Sequence, residues 1–102
     1  MRSQRELAHA PLHEVVARHA LAANLATTAI TRARLAAQID AQSAILRTQE
    51  ELIRLAQVRT RLGQAAPDEV SALTTQAELT RSGLPPLHKS LQQTEHLLAV
   101  LA

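Results

Sequence analysis

The chain has 102 residues, 46% of them from the hydrophobic set, yet no Phe, Trp, Tyr or Cys. That length supports one small domain. The missing residue types remove stacking platforms for single-stranded bases, disulfide frameworks, thiolate nucleophiles and Cys-ligated zinc. Formal net charge is +2, unevenly spread: nine Arg face five acids from Met1 to Leu62, whereas Arg81 and Lys89 face four acids from Gly63 onward. The arginines are interspersed with Glu and Gln, so a solvated helix face accounts for them better than a nucleic-acid footprint does.

The apolar content is mainly Leu and Ala, with two Gly and four Pro. These are helix formers, because straight-chain residues and alanine lose little rotamer freedom in a helix. The expected class is therefore all-α. No stretch reaches the ~20 apolar residues of a membrane span, and the N-terminal segment has no apolar core of signal-peptide type. A cytoplasmic location is the default expectation, with no membrane partner.

In chain order, Ser3 and Glu6 have capping-box spacing and can open a first helical turn. Pro11 then either limits that turn, with a second start near it, or kinks one continuous helix. Between Pro11 and Leu62 there is neither Pro nor Gly, which predicts one long helix over about residues 11–62. Arg59 and Arg61 suit its carboxyl end, and Gly63 suits a left-handed cap. Pro67, Asp68 and Glu69 open a second helix, expected over 67–82. Gly83 and Leu84-Pro85-Pro86 interrupt it, and a third helix is expected over 86–102.

Two apolar lines run along the long helix. Leu35, Ile39, Gln42, Leu46, Gln49, Ile53 and Ala56 form one seam with spacings of four and three. Ile45, Leu52, Leu55, Arg59 and Leu62 form another, which suits a helix touched by more than one neighbour. In the last helix Leu87, Leu91, Thr94, Leu98 and Leu101 make a matching seam, widened by Leu97 and Val100. The expected architecture is an elongated antiparallel helical hairpin, or three-helix bundle, with one long N-terminal helix and two shorter returning helices in a single domain over 1–102.

Folding at Gly63 leaves a mismatch of lengths. The returning segment of about 35 residues can cover the long helix only back to roughly Thr28. The overhanging part is nevertheless amphipathic: Leu12, Val16, His19, Ala23, Ala26 and Ile30 recur at helical spacing, with Leu21 and Leu25 nearby. Ala22, Thr27 and Ala29 add small residues that permit close helix approach. A stripe of this kind without an intramolecular neighbour marks an interaction site. The expected function is non-catalytic protein binding by an adaptor, co-chaperone or regulator, the partner being another protein or a copy of the chain as a homodimer or higher oligomer.

Chemistry-bearing residues offer less. His9 and His13 are four apart and Glu6 precedes His9 by three, but helical di-iron sites need several such carboxylates converging. His13-Glu14 lacks the second His of a zincin motif. His88 and His96 stand apart from these. No metal or cofactor is expected, and no catalytic residue is assigned.

Three resemblances remain. Leu12-His13-Glu14-Val15-Val16-Ala17-Arg18 resembles the start of the phosphoacceptor helix of two-component sensor kinases, which implies His13 as phosphoacceptor and Glu14 as assisting acid in a phosphotransfer hairpin. Chain length and the long first helix are similar to all-helical chorismate mutases, which implies an Arg-lined dicarboxylate site drawn from Arg34, Arg47, Arg54, Arg81 and Gln92. Gly63-Gln64-Ala65-Ala66-Pro67-Asp68-Glu69, with Leu73, resembles the turn and second helix of small E-component co-chaperones of type III secretion, which implies a hairpin that binds a partner chaperone.

Overall fold

In the computed structural model the chain forms three helices: α1 (Gln4–Arg61), α2 (Pro67–Ser82) and α3 (Leu84–Leu101). The structure describes residues 4–102 and, within α1, no side chain over 5–9. The capping box of Ser3 with Glu6 and the Glu6-x-x-His9 spacing lie outside the described residues. Among the described residues there is no strand, and the all-α hairpin expectation holds.

α1 is one helix of 58 residues with Pro11 inside it. It therefore begins at Gln4, upstream of the start near Pro11. Proline forfeits one amide donor and crowds the preceding turn, but so near an end only a short upstream piece depends on that lost bond. The carboxyl end follows the sequence expectation. Gly63 takes φ 74°, the only positive φ among the described residues. Its N–H donates to the Thr60 carbonyl at 3.1 Å, and the Gln64 N–H donates to the Arg59 carbonyl at 2.8 Å. That pair of bonds is the Schellman arrangement, which satisfies carbonyls that the helix end would leave orphaned.

α2 opens on Pro67, with Asp68 and Glu69 in its first turn, and no side chain caps it. The acids instead meet the positive end of the helix dipole. α3 begins at Leu84 rather than at Pro86, because Pro85 and Pro86 occupy the first turn, where the missing amides would be unbonded anyway. Gly83 separates the two helices in a right-handed conformation (φ −79°, ψ −14°). The interruption is a joint in one returning arm rather than a turn.

The arm lies antiparallel on α1, with its register fixed by three polar contacts. Arg59 pairs with Glu69 at 2.8 Å, Arg81 with Glu50 at 2.9 Å, and Gln42 donates to the Thr80 carbonyl at 3.0 Å. Along the same side runs the predicted seam: Leu35, Leu46 and Ile53 are half-buried, and Ile39 and Ala56 are buried, as is Ala77 of the arm. Leu84, Leu87, Leu91, Thr94, Leu98 and Leu101 supply the facing half-buried line of α3. Several threonines donate their hydroxyl to the carbonyl four residues earlier, as Thr28 does to Asn24 at 2.6 Å and Thr94 to Ser90 at 2.8 Å. Each such bond satisfies the polar atom locally and leaves the methyl for packing.

The second line does not behave as expected. Ile45, Leu52, Leu55 and Leu62 are 53%, 46%, 45% and 66% exposed, and Arg59 is exposed too. A two-helix rod gives α1 one neighbour, not two, so only one seam can be covered. Leu97 and Val100, read as widening the seam of α3, also face solvent.

The molecule measures 89 × 16 × 16 Å with a radius of gyration of 25.2 Å. A compact domain of this length has a radius of gyration of about 13 Å.

Candidate interaction surface

The return arm ends at Ala102, and the first half-buried residues of α1 beneath it are Leu25 and Thr28. From Pro11 to Asn24 every residue is exposed. This agrees with the length argument: a shorter arm in antiparallel register cannot reach the first five turns of α1.

All six residues singled out from the sequence lie in the open. Leu12, Val16 and Ile30 are 61%, 59% and 68% exposed, and His19, Ala23 and Ala26 are exposed as well. At about 100° per residue they share one face of α1, roughly 130° around the helix from the covered seam. Thus the apolar side of the overhang is not an extension of the intramolecular seam. It faces another direction.

Around it the polar groups are satisfied within the helix. His19 Nδ1 donates to the Val15 carbonyl at 2.9 Å, which satisfies that ring nitrogen within the helix. Arg18 pairs with Glu14 at 2.6 Å, and Thr31 donates to the Thr27 carbonyl at 3.0 Å.

Sequence reasoning missed how far the face extends. Ile45, Leu52, Leu55 and Leu62 fall on the same side of α1 as Leu12 and Ile30, again at about 100° per residue. Exposed Ala33, Ala37, Ala41, Ala44 and Thr48 join the two groups. A largely apolar stripe therefore runs from Leu12 to Leu62, with the exposed Arg34 and Arg59 within it at the same helical phase, and a shallow depression lined by Ala44, Arg47, Thr48, Glu51 and Leu52 lies along it. The signal was the unbroken spacing of threes and fours between Ile30 and Ile45, carried by alanines. A second open hollow, at the hairpin end, is lined by Gln57, Thr60, Arg61, Pro67, Val70 and Ser71.

No family model, curated protein or solved structure matches the chain.

The residues named for other chemistries are not gathered into one site. Helical phase puts Arg34 about 140° to 160° around α1 from Arg47 and Arg54. Arg54 is held by Glu51 at 2.5 Å, and Arg81 by Glu50 and Glu78. These exposed clusters raise the pKa of both guanidiniums, through the side-chain hydrogen bonds first and the neighbouring carboxylate charge second. Glu51 is lowered from its ordinary 4.5, chiefly by its hydrogen bond from Arg54. Gln92 and His13 are exposed, as are His88 and His96. Among the described residues no three His, Asp or Glu side chains converge on a metal-sized space, and no helix is long and apolar enough to cross a membrane.

Proposed function

We propose that this chain is a non-catalytic interaction module, acting as an adaptor, co-chaperone or regulator by burying the exposed face of α1 against a second chain. The observation that carries the reading is the bare amphipathic overhang. Leu12, Val16, His19, Ala23, Ala26 and Ile30 share one exposed face whose phase differs from the arm's seam, and from Pro11 to Asn24 the return arm covers no side of α1. Exposed apolar surface of this extent is unfavourable in water and is stabilised when a partner covers it.

Photo-crosslinking in cells tests this directly. A photoreactive residue replacing Val16 is expected to crosslink to protein, whereas one replacing Arg18, on another face, is not. Absence of any protein adduct from position 16 would overturn the reading. In parallel, Val16→Glu and Ala23→Glu are expected to abolish association while circular dichroism retains most of the helix signal.

A further inference from the structure

We infer that the occupant of the stripe is a second copy of this chain, laid antiparallel with Ala37 at the twofold axis. The inference rests on the interaction reading above and adds a partner, an orientation and a register.

The first argument is area. The accessible surface is 7784 Å² for 11.1 kDa, whereas a compact monomer of that mass exposes about 5,700 Å². The stripe from Leu12 to Leu62 is about 75 Å long at 1.5 Å per residue. Taking one helix width, about 10 Å, it offers about 750 Å² on each copy. A standard interface buries about 800 Å² per partner. The match requires contact along the whole stripe, and only a rod of the same length supplies that. A second α1 is such a rod.

The second argument is the distribution of side-chain size. Large residues stand at both ends of the stripe, Leu12 and Val16 at one and Leu52, Leu55 and Leu62 at the other, all exposed. Between the exposed Ile30 and Ile45 the middle is occupied by Ala33, Ala37, Ala41 and Ala44. Two antiparallel copies centred on Ala37 bring residue pairs whose numbers total about 74 to the same level. Leu12 then meets Leu62 and His19 meets Leu55. Ile30 meets Ala44, a large residue over a small one, and Ala33 meets Ala41. The alanine centre lets the backbones approach closely, and the bulkier ends fill the wider space.

The third argument concerns the overhang. In this register residues 11–24 of each copy lie against the hairpin end of the other, where Leu52, Leu55 and Leu62 are uncovered. A parallel in-register pair would instead leave both overhangs with only each other, two helices thick. The antiparallel pair places three helices at each such level. The covered seam of each copy lies about 130° from the stripe, and the arm approaches the stripe at the hairpin end, where Glu69 holds Arg59 at 2.8 Å.

The chain contains no cysteine, so single introduced thiols report the geometry without background. Leu12→Cys and Leu62→Cys change exposed side chains and leave the seam intact. A mixture of the two variants, treated with a short bismaleimide, is expected to give the 12-to-62 heterodimer at least tenfold over 12-to-12 dimers. Sedimentation of the unsubstituted chain is expected at twice its monomer mass in the micromolar range. Dominant 12-to-12 and 62-to-62 products would overturn the antiparallel register, and a monomer in sedimentation would overturn self-pairing altogether. In that last case a crosslink from position 16 to a different protein would leave the interaction reading standing, and no crosslink would remove it as well.

Discussion

Gln42 donates its side-chain amide to the backbone carbonyl of Thr80 at 3.0 Å, across the interface between α1 and the return arm. The contact is possible because the neighbouring residue is Gly83: a Cβ there would stand 2.5 Å from Gln42 Nε2. One glycine therefore serves both as the joint between α2 and α3 and as the gap through which the two arms of the hairpin are bonded.

A coupling follows between these two positions. Gly83 has right-handed helical dihedrals, so alanine should favour the folded state by about 0.5–1 kcal/mol through reduced freedom of the unfolded chain. In the native background Gly83→Ala must displace Gln42, losing a hydrogen bond worth about 1 kcal/mol, and the two effects offset each other. In a Gln42→Ala background the same change should be stabilising by about 0.5–1 kcal/mol. Urea melts of the four proteins give the coupling, expected at about 1 kcal/mol; strict additivity would refute it.

Gln49 lies on the same seam, but its Oε1 is buried with no hydrogen-bond partner. Replacing it with Met, similar in length and apolar, removes an unmet acceptor and should stabilise the hairpin by about 1 kcal/mol. The denaturation midpoint should rise. A fall would mean that the glutamine contributes net stability where it stands.

At Gly63 an added Cβ meets nothing within 4 Å, and φ is 74°. The cost of Gly63→Ala is then backbone strain alone, about 1–2 kcal/mol. Gly63→Asn should cost less than Gly63→Ala, since asparagine tolerates this conformation better. Equal thermal melts for alanine and glycine at this position would contradict the role assigned to the turn.

Acid should weaken the hairpin in a defined direction. Glu51 has a depressed folded-state pKa, so its contribution is complete above the unfolded value and disappears as pH falls below 4.5 through the folded one. Because Arg54 and Glu51 are both exposed, salt screens the pair and the effect is small. Melting temperature measured from neutral pH to pH 3 should drop less for Glu51→Gln than for the native chain, and the difference should shrink in high salt.

The covered seam was legible in the sequence because Leu35, Ile39, Leu46, Ile53 and Ala56 repeat at the spacing that any packed helix requires. Ile45, Leu52 and Leu55 carry the same spacing, and periodicity cannot distinguish a face that has a neighbour from one that does not. What distinguishes them is the count of arms, and that followed from Gly83: it separates α2 from α3 as expected, but its right-handed dihedrals keep the two in a single return arm. The six overhang residues were found by comparing lengths, a more direct guide here than residue type. Their continuation toward Leu62 passed through alanines, whose small apolar surface gave a weak signal.

A rod two helices thick is close to one-dimensional. Each residue is supported only by those at its own level, so stability accumulates along the axis from nearest-neighbour terms, as in repeat proteins. Amide hydrogen exchange should therefore read as a gradient, slowest beside Ile39, Ala56 and Ala77, where burial is greatest, and fastest toward Gln4. Melting should proceed as unzipping from the bare end, and anything that grips that end would slow the opening of the whole molecule.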